Sequence, residues 1–128
     1  MTFETVQPTT IHPTTGYSPA VRVGNTLYVS GQIARDPNNR IVGEGDIEAQ
    51  TRRVYVNLRA VLEAAGGSLR DIVKTTTFLT DRGHFEAWRR VRDELFEAPY
   101  PASTLVVVES LSYPEYLVEV EAIAVLGD

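Results

Sequence analysis

The last quarter of the chain holds two strand-like runs that are apolar on both faces. Within Ser103–Glu109 and Tyr116–Val125, one alternating set contains Val106, Val108, Val118 and Val120. The intervening set contains Leu105, Val107, Leu117, Ile123 and Val125. Successive side chains of a strand point to opposite faces, so both faces of this sheet need cover. Helices from the same chain can cover one of them. No further segment of the 128 residues offers a second layer, so self-association is expected to cover the other.

Two segments have helical periodicity. In Asp46–Ala65, the residues Ile47, Thr51, Val54, Leu58, Val61, Leu62 and Ala65 recur at three- and four-residue steps and form one face. Asp46 is placed to cap the N-terminus, Glu48 suits the first turn, and Gly66-Gly67 stops the helix. Arg52, Arg53, Asn57, Arg59 and Glu63 fall off the stripe and are expected in solvent. The second helix is expected over Gly83–Phe96, with Phe85, Trp88, Val91, Leu95 and Phe96 inward, and Pro99 and Pro101 prevent its continuation.

The remaining order is also legible. Residues 1–16, with Pro8, Pro13 and Gly16, read as an extended arm or loop. Tyr17–Val23 and Thr26–Ser30 flank Gly24-Asn25 as a hairpin, and Ile72–Thr80 is a β-branched strand. The sequence of elements is hairpin, helix, strand, helix, strand, strand. It predicts an α+β fold, one domain over residues 1–128, with both helices on one face of the sheet.

Composition narrows the chemistry. Hydrophobic residues make up 43% and charged residues 23%, an ordinary globular balance. There is no Cys, which removes disulfides, thiolate metal sites and a Cys nucleophile. The 12 basic and 17 acidic side chains leave a net charge of -5, which disfavours broad nucleic-acid binding. The Arg52-Arg53 and Arg89-Arg90-Arg92 clusters are interleaved with acidic and amide residues and read as solvated helix faces. No run approaches the ~18 apolar residues of a membrane span, and Met1–Thr10 has no charged-then-apolar signal pattern. A soluble cytoplasmic protein is expected.

Few residues are candidates for chemistry. Glu119 and Glu121 lie two apart in the last strand and share a face with Leu117 and Ile123. Carboxylates in apolar company have their pKa values pushed apart, which makes one a candidate acid or base. The alternative is a wet strand face on which both are merely solvated. His12 and His84 are not spaced as a metal pair and read as surface residues. Gly31, in Ser30-Gly31-Gln32, marks either a close ligand approach or a bulge.

Several segments together resemble the YjgF family, also called the RidA or reactive-intermediate deaminase family, with the older label L-PSP endoribonuclease. They are Gly24-Asn25-Thr26-Leu27-Tyr28-Val29-Ser30-Gly31-Gln32-Ile33, Gln50-Thr51-Arg52 leading to Asn57-Leu58, and Leu62-Glu63-Ala64-Ala65-Gly66. Next come Asp71–Thr76, Phe78-Leu79-Thr80-Asp81, Pro101-Ala102 and Val118–Ala124. The match runs from about Tyr17 to Val125. The resemblance implies a chorismate-mutase-like fold and a homotrimer whose sheets face inward as a barrel. It also implies ligand clefts between subunits, hydrolysis of small imines and enamines to keto acids and ammonia, and no metal or organic cofactor.

The resemblance further assigns roles. Glu119 corresponds to the carboxylate that places the attacking water, which favours a cleft residue over a solvated one, whereas Glu121 stays a solvated strand residue. Tyr17, Gly31 and the backbone at Leu105 correspond to groups lining the pocket. Typical members follow the Pro-Ala pair with an Arg that holds the substrate carboxylate; here Ser103 stands in that place. A hydroxyl suits a neutral carbonyl, amide or hydroxyl better than an anion, unless Arg22 or Arg35 supplies the missing cation. Three functions follow: a RidA-like hydrolase with an altered substrate, a non-catalytic small-ligand-binding or regulatory trimer, and a ribonuclease. The negative charge and the lack of a paired His argue against the last.

Overall fold

In the computed structural model, which describes residues 2–127, Gly24 turns the chain at a φ of 59° between β2 (Ala20–Val23) and β3 (Thr26–Gln32). This is the expected hairpin, and its antiparallel register pairs Val23 with Thr26. The N-terminal arm is not wholly irregular. Glu4–Val6 forms β1 and pairs antiparallel with β2, because its backbone satisfies the otherwise free edge of that strand. The other strands are β4 (Ile72–Leu79), β5 (Ala102–Val107) and β6 (Val118–Val125). The sheet order is β1-β2-β3-β6-β4-β5, with only β4 and β5 parallel.

Helices α1 (Ile47–Ala64) and α2 (Phe85–Leu95) cover one face. Asp46 caps α1 by accepting a bond from the Ala49 amide at 3.0 Å. At the other end, Gly66 adopts a φ of 86°. Its amide reaches Glu63 O at 3.0 Å and that of Gly67 reaches Leu62 O at 2.8 Å, which satisfies two terminal carbonyls. Leu58, Val61 and Leu62 of α1 pack with Leu27, Val118, Val120 and Leu79 into the core.

Asn57 departs from the expectation of a wet residue. It is fully buried, and its Nδ2 donates to Ile33 O and Arg35 O, both at 2.9 Å. A polar side chain enters the core here because two backbone carbonyls just beyond β3 need donors. His12 is likewise buried rather than on the surface, at 4% exposure. No helix among the described residues is long and apolar enough to cross a membrane.

The opposite face of the sheet has no helix. Its rows follow the strand register: Tyr28, Ile123 and Lys74; then Glu121 and Thr76; then Glu119 and Phe78. Tyr28, Val106 and Val125 remain 47, 40 and 47% exposed there. This is the uncovered face that the two-sided strands required, apolar at Tyr28, Ile123 and Val125 and polar at Lys74, Thr76, Glu119 and Glu121.

Candidate active site

The β3–β6 ladder slips between Val29 and Gln32, so Ser30 and Gly31 form a bulge. Gly31 therefore lies in a bulge, one of the two expected readings, and the close approach seen there is by a side chain of the same chain. The group that approaches is Glu119: a Cβ at position 31 would stand 2.7 Å from the Glu119 carboxyl carbon and 2.9 Å from its Cγ. The bulge and the missing side chain together make room for the carboxylate. Burial pushes the Glu119 pKa above the ordinary carboxylate value, and the neighbouring charge of Glu121 adds to the rise. Glu119 is partly buried and Glu121 exposed, so the two carboxylates of this strand have separated environments.

Tyr17 comes to the same place from the loop before β2. Thr14 Oγ1 bonds Tyr17 O at 2.8 Å, and Ser30 holds the following residues through its hydroxyl to Ser18 O at 2.7 Å and its amide to Pro19 O at 2.9 Å. Burial raises the Tyr17 pKa first and the Glu119 charge raises it further, while Arg35 acts in the opposite sense. The phenol thus lies within electrostatic reach of a carboxylate and a guanidinium.

Arg35 lies just past β3. Its Nε donates to the Tyr116 hydroxyl and its Nη1 donates to Asn39 O at 2.6 Å. Its guanidinium carbon stands 4.9 Å from the ring centre of Tyr113 and 5.5 Å from that of Tyr116. Gln50 secures the loop that carries these tyrosines: its side chain donates to Glu115 O and accepts from the Leu117 amide, both at 2.8 Å. Burial lowers the His12 pKa, and the Arg35 charge lowers it further. Arg22 is elsewhere, bonded to Gly24 O at 2.9 Å in the hairpin turn.

The structure therefore gathers three of the five expected site residues, Tyr17, Gly31 and Glu119, and separates the other two. Ser103 and Leu105 lie on β5, two strands from β6 at the sheet edge. Both face the helices. Ser103 pairs with Thr75 and lines a cavity of about 400 Å³ with Tyr55, Arg92, Phe96 and Tyr100, and Leu105 packs on the core. Sequence reasoning missed Tyr113, Tyr116 and His12 as neighbours of the cluster. All three come from irregular segments, where no periodicity reports direction.

A bulged β3, a half-buried carboxylate beside it on β6, and two helices on one face of a mixed sheet define an α+β domain of the L-PSP endoribonuclease type, whose family pattern matches residues 7–126. The chain belongs to that family, the YjgF/RidA family. It is 44% identical over 108 residues to a RutC family protein of Pyrococcus abyssi, covering 84% of each chain. It is 36% identical over 119 residues to a 2-iminobutanoate/2-iminopropanoate deaminase of Dermatophagoides farinae, covering 93% of this chain and 92% of that one. Its fold matches the crystal structure of RidA from the Antarctic bacterium Psychrobacter sp. PAMC 21119 at a TM-score of 0.89 and 38% identity, covering 96% of this chain and 99% of that one.

Proposed function

We propose that this protein hydrolyses small imines or enamines, with Glu119 as the base that activates water. The observation that carries the reading is the seating of Glu119 against Gly31, where burial makes the carboxylate more basic than usual. The water oxygen bonds to the imine carbon as Glu119 takes a water proton, and the C=N pair moves to nitrogen. The protonated Glu119 then returns the proton to nitrogen. The resulting carbinolamine expels ammonia and leaves a carbonyl, so one water enters and one ammonia departs. The name of the Dermatophagoides farinae relative supports this class of reaction.

The reading includes assembly as a trimer through the uncovered face, with the free edge of one subunit's β5, which carries Ser103 and Leu105, brought to the Tyr17–Gly31–Glu119 cluster of the next. The apolar row of Tyr28, Ile123 and Val125 supports it. With Ser103 in the position where typical members carry an Arg, small 2-imino acids are poor substrates. The expected place of action is the cytoplasm, and no metal or organic cofactor is required.

The test is turnover of an imine generated in situ from an amino acid by an amino-acid oxidase. Glu119→Gln is expected to abolish hydrolysis while sedimentation still reports the same oligomer. Full turnover by that variant would remove Glu119 from the mechanism. Ile123→Glu is expected to yield smaller species, because it places a charge in the covered face, and an unchanged sedimentation coefficient would refute the interface.

A further inference from the structure

Arg35, like Arg22, is partly buried and hydrogen-bonded without a carboxylate partner, and it is set apart by the two tyrosine rings against its guanidinium. Arg52, Arg70, Arg89 and Arg92 each pair with a carboxylate, at the solvent-exposed helix faces or on nearby loops. Among the described residues no carboxylate lies within ion-pair distance of Arg35. Its guanidinium is nevertheless fixed: Nε is bound to Tyr116, Nη1 to Asn39 O, and the plane is flanked by the Tyr113 and Tyr116 rings. Those two rings are themselves 5.3 Å apart. Asn57 holds the Arg35 carbonyl from below at 2.9 Å. Nη2 makes no hydrogen bond to any described residue. A partly buried cation, held rigid and left without a counter-charge, is preorganised for an anion.

The position of this cation relative to Glu119 carries the argument further. Gln32 pairs with Val120, so the β3–β6 ladder leads from the Gly31–Glu119 contact towards the Arg35–Tyr116 contact. Tyr116 precedes Glu119 by three residues, and the Thr80 amide bonds Leu117 O at 3.2 Å, so the chain runs on extended beyond β6 and sets the two residues roughly 10 Å apart. Tyr17 lies within electrostatic reach of both charges. An anion seated on Arg35 is therefore offset from the atom that Glu119 serves. A carboxylate bonded directly to an imine carbon does not span such an offset, whereas one several bonds away does.

We propose that Arg35, flanked by Tyr113 and Tyr116, is the anion-holding residue of the Glu119 cleft, and that it selects ligands whose carboxylate lies several bonds from the carbonyl or imine carbon. This rests on the proposed cleft, but the anion seat does not need turnover in order to be tested. It also accounts for a cleft that lacks a cation at Ser103: the charge enters from the end of β3 instead.

The test is equilibrium binding of three product-like probes to the intact protein: 4-oxopentanoate, its neutral amide, and 2-oxobutanoate. The acid is expected to bind about ten- to a hundredfold tighter than the amide, the range of a charge-assisted bond, and tighter than 2-oxobutanoate. Arg35→Gln is expected to erase the advantage over the amide. Should that variant melt below the assay temperature, the wild type decides. The Arg35 Nε–H resonance is expected to shift with 4-oxopentanoate and to stay in place with the amide. Equal affinity for acid and amide, an advantage that persists in Arg35→Gln, or an Arg35 resonance indifferent to the acid each overturns the proposal. Arg35-dependent binding without turnover of any imine would uphold the anion seat and sink the hydrolase reading. Turnover abolished by Glu119→Gln, with no preference for the acid, would do the reverse.

Discussion

Gly31 and Glu119 occupy a single space on the β3–β6 ladder: the carboxylate of one fills the volume that any side chain on the other would take. The backbone of Gly31 is not in the left-handed region, so its requirement for glycine is one of room rather than of φ.

Gly31→Ala is the direct probe of this packing. The added methyl displaces the Glu119 carboxylate, which is the end of a flexible side chain, so the fold is expected to survive with a loss of about 1–3 kcal/mol. Activity is expected to fall by about a hundredfold, because displacing a catalytic group by an ångström costs that much. Thermal melting and imine turnover on the same preparation separate the two effects. Unchanged turnover would mean that the carboxylate position is irrelevant.

Glu119 itself gives a pH-dependent prediction. Its folded pKa lies above the ordinary value, so the protonated form favours the fold. That contribution is complete below the unfolded pKa of about 4.3 and is lost as pH rises through the raised folded value. Glu119→Gln, which cannot ionise, is therefore expected to melt higher than wild type at pH 7, with the gap closing towards pH 4. A lower melting temperature at pH 7 would identify the carboxylate as a paired structural group instead.

Asn57 anchors the end of β3 from inside. Asn57→Leu keeps the volume but leaves Arg35 O without its donor and Ile33 O with the Arg35 amide alone. A loss of about 1–3 kcal/mol in denaturant unfolding is expected, the cost of one orphaned buried carbonyl. Because Arg35 is released as well, affinity for 4-oxopentanoate is expected to drop in whatever fraction remains folded. Wild-type stability in this variant would show that water replaces the amide.

Ser103→Arg tests the missing cation on β5. The variant is expected to raise kcat/KM on 2-iminopropanoate by about tenfold, at the lower end of what a charge-assisted bond supplies, and to leave a neutral imine unaffected. The expectation is modest because Ser103 shares its cavity with Arg92, and two guanidiniums there repel. Wild type already efficient on 2-iminopropanoate would show that the adjacent carboxylate is held elsewhere.

Much of this protein was determined by its sequence alone. Periodicity located both helices, Asp46 and Gly66-Gly67 marked the ends of α1, and the Gly24-Asn25 pair marked the hairpin. All of these signals are local, since each depends on residues within about one turn of one another. The two-sided apolar strands told that one sheet face would lack cover, and the bare row of Tyr28, Ile123 and Val125 is that face. The run of motifs from Tyr17 to Val125 placed the chain in its family and marked Tyr17, Gly31 and Glu119. Only the tertiary structure decided the rest. Asn57 looked wet because it sits off an apolar stripe, but its burial is set by two distant carbonyls. His12 looked superficial because it sits in a Pro-flanked loop, yet that loop folds under Arg35. Ser103 turned to the helix face because its register with Thr75 fixes its direction, and no spacing within β5 records that partner. The Arg35–Tyr116 contact joins residues 81 positions apart, from two irregular segments. Such contacts have no period, and chain folding alone brings them together.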